Sequence, residues 1–255
     1  MKSKSLKDKG ILIARPRVQA TYLMSQIESR SGRALLCPAI DLIELTSELI
    51  ISETTYDAII FVSPTSVEMG WKKVRGLVEI SRTILIAAAG GATANKVREE
   101  GFMALFPDGQ GGALALIEVL RGHLDLSSSS VLIVNGEGGD SLLEQLLQLE
   151  GTKVQTFACY RRVDIRDSSQ LENSDKFAGG LDAWIVTSRR SIGNMLAQFE
   201  GQKIKLTDIP LFVNHSAIAD EALIRGVTTV FVCQDAGKKM IQSIEDWFVP
   251  FKLED

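Results

Sequence analysis

The stretch Tyr56-Asp57-Ala58-Ile59-Ile60-Phe61-Val62-Ser63 returns 125 residues later as Leu181-Asp182-Ala183-Trp184-Ile185-Val186-Thr187-Ser188. Both copies are short apolar runs closed by hydroxyl residues. Upstream, Ile11–Ala14 followed by Leu23, Ile27 and Gly32 is matched by Val131–Val134 followed by Leu143, Leu147 and Gly151, at an offset of 120 that slips to 119. Downstream, Ala92-Thr93-Ala94 before Gly101 is echoed by His215-Ser216-Ala217 before Gly226. Matches in one order at nearly one offset mean two similar units rather than one long sheet.

Short apolar runs alternate with helix-period segments along the whole chain. Candidate strands are Ile11–Ala14, Ala34–Pro38, Ala58–Val62, Ile84–Ala88, Ala104–Phe106, Val131–Val134, Lys153–Cys159, Ala183–Val186, Leu211–Val213 and Thr229–Val232. Between them, Ala20, Leu23, Met24 and Ile27, or Leu143, Leu146 and Leu147, recur at helical spacing. Pro16 suits the first turn of the first helix and Gly32 its stop. Strands that are almost wholly apolar and alternate with helices predict parallel sheets covered on both faces, an α/β class. The residues leave open whether the units are sequential or interleaved. Leu36–Leu45 and Phe157–Ile165 are extended in character and could both be crossings between domains. Arg166–Ser174 and Ser127–Ser130 read as surface loops.

Composition removes several functions. Apolar residues make up 45% of the chain, which supports buried cores. The net charge of −4 comes with no basic stripe, so nucleic acid is not an expected partner. Met1–Gly10 is charged, and four apolar residues then precede Arg15, too short a core for a signal peptide. No run suits a membrane span, and a cytoplasmic protein is expected. Cys37, Cys159 and Cys233 are far apart and read as small buried side chains. His123 and His215 have no carboxylate or cysteine nearby at metal-ligand spacing, and no GxSxG elbow accompanies them. No metal site is expected.

In parallel α/β sheets, ligands bind beyond the carboxyl ends of the strands. The loops there are Arg15-Pro16-Arg17, Ser63-Pro64-Thr65-Ser66, Ala89-Gly90-Gly91-Ala92-Thr93, Asn135-Gly136-Glu137-Gly138-Gly139, Thr187-Ser188-Arg189-Arg190 and Asn214-His215-Ser216. Hydroxyls and glycines at helix starts offer backbone N–H groups and a positive dipole end to carboxylates or phosphates. Any one of these hydroxyls could equally be a plain helix cap. Gly136, Gly138 and Gly139 also outline a dinucleotide fingerprint. Ser141 replaces its third glycine, however, and no acidic residue ends the next strand.

Taken in order, these pieces resemble the uroporphyrinogen-III synthase family over essentially the whole chain. They are Arg15-Pro16, Ile60-Phe61-Val62-Ser63-Pro64, Ala92-Thr93-Ala94 before Gly101, Gly151 with Val154 to Tyr160-Arg161, Ile185-Val186-Thr187-Ser188, and Ser216-Ala217 before Gly226. The resemblance implies two interleaved flavodoxin-like parallel-sheet domains joined by a two-stranded connector. One would comprise residues 1–38 and 165–255, the other 42–160. It implies a small-molecule tetrapyrrole substrate, hydroxymethylbilane, with eight carboxylates on four pyrroles, and neither a metal nor an organic cofactor.

The same resemblance implies loss of water from the substrate's terminal hydroxymethyl group, attack at the substituted carbon of the last ring, and reclosure with that ring inverted. Tyr160 is the expected proton donor, and Ser63, Thr93, Ser188 and Ser216 are expected to bind carboxylates, with Arg15 and Arg189 as charge partners. These hydroxyls would line an inter-domain cleft in a monomer. Three positions depart from the family pattern: Asp140 where a base is usual, Thr65, and Asn214-His215 ahead of Ser216-Ala217. A non-catalytic two-domain protein closing on a small anion is the alternative, and a nucleotide-dependent oxidoreductase a further rival.

Overall fold

The computed structural model describes residues 5–46, 49, 55–81, 83–109, 111–167, 177 and 179–248. In chain order the elements are β1 (Gly10–Ile13), α1 (Arg17–Ser29), β2 (Arg33–Leu36), β3 (Ile40–Glu44), β4 (Ala58–Phe61), α2 (Pro64–Ile80), β5 (Leu85–Ala88), α3 (Gly91–Glu99) and α4 (Ala113–Arg121). They continue with β6 (Ser130–Gly136), α5 (Leu142–Leu149), β7 (Lys153–Asp164), β8 (Ala183–Val186), α6 (Arg189–Gln198), β9 (Leu211–Val213), α7 (Ser216–Ile224), β10 (Val230–Val232) and α8 (Lys238–Phe248). Contacts divide the chain into unit 1, which is Met1–Asp41 with Val163–Asp255, and unit 2, which is Leu42–Arg162.

Unit 1 holds a sheet of order β10-β9-β8-β1-β2, parallel throughout. Numbered within the unit, that order is the flavodoxin-like 2-1-3-4-5. Its strands alternate side chains between two faces. Leu12, Trp184, Val186, Leu211 and Val213 point into a core closed by Ile192 and Met195 of α6 and Ala222 of α7. Ile11, Ile13, Ala183, Ile185 and Phe212 point the other way, against Leu23 and Ile27 of α1 and Met240, Ile241 and Ile244 of α8. Both faces being covered explains why every residue of β1 and β8 is buried and apolar or glycine.

Unit 2 has the order β3-β7-β6-β4-β5. Here β5, β4, β6 and β7 are parallel. The sequence repeat maps β6, β7, β4 and β5 onto β1, β2, β8 and β9, and this mapping reproduces the order of sheet neighbours. Unit 2 is thus the same sheet with the chain entering at what is the third strand of unit 1. The repeated aspartates serve this layout. Asp182 accepts from the Gly10 N–H at 2.7 Å, and Asp57 accepts from the Ser130 N–H at 2.8 Å, so each secures the start of the strand beside its own. Added at the edge is β3. Leu45 N–H donates to Cys159 and Ile165 N–H donates to Ala39, an opposed order that makes β3 antiparallel to β7.

Four local expectations change. Ala104–Phe106 is not a strand but a single bridge, Leu105 to Ala87, in the place of β10. Leu105 N–H donates to Ile86, and the next donor in a parallel ladder would be residue 107, which is Pro107 and has no N–H. Pro16 caps α1 from outside the helix rather than sitting in its first turn. The left-handed residue after α1 is Ser31, at φ 65°. Gly32 is needed instead for close approach, since a Cβ there would lie 2.9 Å from Ile27 Cγ2. Of the Ser127–Ser130 loop, Ser129 and Ser130 are buried and Ser130 opens β6. Residues 168–174 of the expected Arg166–Ser174 loop lie outside the described residues.

Candidate functional site

The carboxyl ends of β1, β8 and β9 bring Arg15, Ser188, Arg189 and Ser216 to one edge of unit 1. Arg15 is the most constrained. Burial pulls its guanidinium pKa below the ordinary value. Among the described residues its Nη1 reaches the Ala236 carbonyl, at 3.5 Å, and its Nε is buried without a hydrogen-bond partner. An unpaired buried donor on a cation is costly and calls for an explanation. After β9, Asn214 Oδ1 is likewise buried and unpaired.

Ser188 is the N-cap of α6, yet its side chain makes no capping bond, which leaves the hydroxyl for other work. Arg189 opens α6 with its side chain exposed and touches Glu221 of α7 at 4.0 Å. Ser216 is exposed at the first position of α7. The cap is His215, whose Nδ1 accepts from the Ala217 N–H at 3.2 Å, so the departure at this position has a local structural use.

In unit 2, Ser63 caps α2 in a reciprocal box with Ser66, each hydroxyl accepting the other's backbone N–H at 3.1 Å. Such a cap stabilises by about 1 kcal/mol, so Ser63 has a structural role whatever else it binds. Thr93 is buried in the third position of α3. The N-caps Gly90 and His215, and the left-handed Gly101 and Gly226 that follow the two helices, stand 125 apart. Thr93 therefore corresponds to the buried Ile218, and the apparent match with Ser216 slips by two positions. Asp140 accepts from the Leu142 N–H at 2.9 Å and so helps to start α5.

Tyr160 lies near the end of β7 with its ring fully buried beside Phe61, Trp71 and Cys159. Its hydroxyl accepts from Arg162 Nη2 at 2.8 Å, and the same guanidinium sits 5.1 Å from the ring centroid. A Cβ on Gly136 would fall 2.5 Å from Tyr160 Cζ. This glycine, read above as part of a dinucleotide loop, is accounted for by the tyrosine packed on it, at a register shift between β6 and β7.

Three more arginines stand with Arg189 around α6, its loop neighbour Arg190 and two that the sequence did not single out, Arg166 and Arg225. Arg190 grips Asp164 at 2.6 and 2.9 Å, Arg166 reaches Asn194 at 2.9 Å, and Arg225 pairs with Glu221 at 2.6 Å. Hydrogen bonding to Arg190 holds the Asp164 carboxyl below its usual value and raises Arg190 in turn. Arg190 was legible as the neighbour of Arg189, but Arg166 and Arg225 carried no local signal. Among the described residues no three His, Cys, Asp or Glu side chains gather as a metal ion would require.

The molecule is thus a two-unit α/β protein with mainly parallel sheets, whose strand ends carry hydroxyls, helix starts and, in unit 1, the partly unpaired guanidinium of Arg15. The model of uroporphyrinogen-III synthase HemD matches residues 22–241, and the chain belongs to the uroporphyrinogen-III synthase family, cyclising lyases of haem biosynthesis. A curated relative from Methanothermobacter thermautotrophicus, named provisionally as a uroporphyrinogen-III synthase, is 24% identical over 243 residues, covering 91% of this chain and 96% of the relative. Among solved structures, uroporphyrinogen-III synthetase of Helicobacter pylori aligns with a TM-score of 0.61 at 15% identity over 94% of this chain and 100% of that one. A mutant uroporphyrinogen III synthase of Thermus thermophilus gives 0.54 at 16% identity over 94% and 97%. At such identities these likenesses establish the fold. No helix among the described residues is long and apolar enough to cross a membrane.

Proposed function

We propose that this chain closes hydroxymethylbilane to uroporphyrinogen III, with loss of water and inversion of the last pyrrole ring, as a cytoplasmic monomer with no bound cofactor or nucleic-acid partner. Arg15 is the observation that carries the reading. It is a half-buried guanidinium at the carboxyl end of β1 with no carboxylate partner among the described residues, in a chain that belongs to this family. A substrate carboxylate would satisfy it.

The chemical demand on the protein is modest, because the substrate also cyclises unaided without inversion. What has to be supplied is one trajectory in preference to another. Holding the two ends of a linear substrate in reacting geometry is a proximity effect that can contribute roughly 7–11 kcal/mol in good cases. Ser63, Thr93, Ser188 and Ser216, with Arg15 and Arg189, are the proposed carboxylate anchors. Of these, the half-buried Ser188 with no capping bond, the exposed Ser216 and Arg15 with its unpaired Nε have the strongest support, and buried Thr93 the weakest. Tyr160 is the proposed donor to the departing hydroxide. Arginine cannot accept a hydrogen bond, so Arg162 must be the donor in their contact and the tyrosine keeps its own proton to give.

The test couples the protein to a hydroxymethylbilane source and separates the I and III isomers by chromatography. Predominant III isomer is expected. Isomer ratios no different from a protein-free control would leave only the non-catalytic anion-binding reading.

A further inference from the structure

Along α6 and α7 on unit 1 runs a groove of about 430 Å³ lined by Arg166, Arg189, Arg190 and Arg225 together with Asn194 and Glu221. Its cations form two sets. Arg190 and Arg166 share Asp164, at 2.6 and 3.5 Å, while Arg225 and Arg189 share Glu221, at 2.6 and 4.0 Å. Each set joins two guanidiniums to one carboxylate and leaves one positive charge over. The groove therefore carries an excess of two in a protein whose net charge is −4. All four arginine side chains are between 48% and 68% exposed, so donors remain toward solvent.

Helix packing does not explain this charge. The same helix pair exists in unit 2 as α2 and α3, and at an offset of 125 the places of Arg189, Arg190, Gly193, Glu221 and Arg225 are taken by Pro64, Thr65, Glu68, Lys96 and Glu100. One ion pair, Lys96 to Glu68 at 3.2 Å, links the helices there. Unit 1 has given up that link for a glycine and a set of arginines. Gly193 forms part of the floor: a Cβ on it would stand 3.4 Å from Cζ and Nη1 of Arg225, so the guanidinium lies against the helix and a longer side chain there would compete with it for the groove.

We propose that this groove is a subsite for the two carboxylates borne by a single pyrrole ring of the tetrapyrrole, one on each arginine set. The assignment rests on the synthase reading above. Two excess charges match two carboxylates, and a guanidinium presents the planar fork that a carboxylate accepts. The groove begins at the first turn of α6, where Arg189 follows Ser188 in the chain, and meets α7 at Glu221 and Arg225. Asn194 bonds both Asp164 and the Ala39 carbonyl from a buried position, which fixes the Asp164 set against the helix.

The test compares uroporphyrin III, with two carboxylates on every ring, against coproporphyrin III, with one, by fluorescence titration of the intact protein. Tighter binding of uroporphyrin by the wild type is expected. In the double variant Arg190→Gln/Arg225→Gln that margin should collapse, the Kd for uroporphyrin rising about ten- to a hundredfold as charge-assisted hydrogen bonds are lost, and that for coproporphyrin rising far less. Gly193→Leu keeps every charge but fills the floor, and should produce the same selective loss. It decides the matter if the double variant does not fold. An unchanged margin in a folded variant, or an equal loss for both porphyrins, overturns the subsite while III-isomer formation by the wild type still upholds the synthase reading. A wild type that forms no III isomer removes both.

Discussion

Arg162 both stacks over the ring of Tyr160 and donates to its hydroxyl at 2.8 Å, so one guanidinium sets the position of the phenol and the direction of its proton. Tyr160→Phe keeps the packed ring and deletes only the donor. If that donor aids departure of water, III-isomer formation falls by about 10²–10⁴-fold, the usual reach of general acid help. Unaided cyclisation then makes the I isomer dominant in the chromatogram, while circular dichroism stays that of the wild type.

Gly136→Ala tests the other side of the same ring. The new methyl would meet Tyr160 Cζ at 2.5 Å inside a strand, so the ring or the strand must shift. Overpacking of this kind costs about 1–3 kcal/mol. Urea unfolding should show that loss, and Tyr160→Ala in the same chain should relieve part of it.

Arg15 should trade stability against binding. Arg15→Met removes a buried guanidinium whose Nε has no partner, so thermal stability is expected to rise or hold. The KM for hydroxymethylbilane should rise by about ten- to a hundredfold, the scale of one hydrogen bond to a charged group. Unchanged KM would remove Arg15 from the site.

The Asp164 carboxyl is held below its usual value chiefly by Arg190, with Asn194 and Arg166 adding to it. A depressed folded pKa means stability that is present above the unfolded value, about 3.9, and lost as pH falls through the lower folded value. Asp164→Asn should therefore flatten the acid limb of a stability-versus-pH curve below about pH 4 and leave the neutral region with a constant offset. Because Arg190 is more than half exposed, the effect should shrink in high salt.

The three cysteines are free and buried, and burial pushes the Cys159 thiol up to about 11. A thiol in that state is a poor nucleophile. Alkylation at pH 8 should leave Cys159 unmodified in the native protein and reach it only on unfolding, as mass spectrometry of the modified chain would show.

The α/β class and most strands were open to a reader of the sequence, because strands buried on both faces are uniformly apolar and stand out against amphipathic helices. Asp57 and Asp182 showed a repeat, but not that each anchors the start of a neighbouring strand. Thr93 and Ser216 looked alike because Thr-Ala and Ser-Ala share chemistry. Helix phase, which puts one inside and the other outside, becomes fixed only when caps and glycine stops are seen. Arg166 and Arg225 escaped for a different reason. Charged residues on exposed faces have no period, and bringing two distant positions beside one helix is the work of tertiary structure. Ala104–Phe106 failed as a strand through the absence of a single N–H on Pro107, a defect of the ladder rather than of the side chains.

The permuted entry of the chain into its second sheet has a consequence for synthesis. When the ribosome has released residue 162, every strand of unit 2 exists, whereas unit 1 has only β1 and β2 and must wait for β8 to pair with Ile11–Ile13. Closing that gap costs loop entropy that grows only slowly with length, and prior folding of the intervening unit would shorten the effective loop. The expected order is an inner unit formed first and an outer one completed around its ends in the chain. Ribosome-arrested chains long enough for β7, but not β8, to have left the exit tunnel should already protect the strands of unit 2 from protease, while Gly10–Leu36 stays cleavable until β8 emerges.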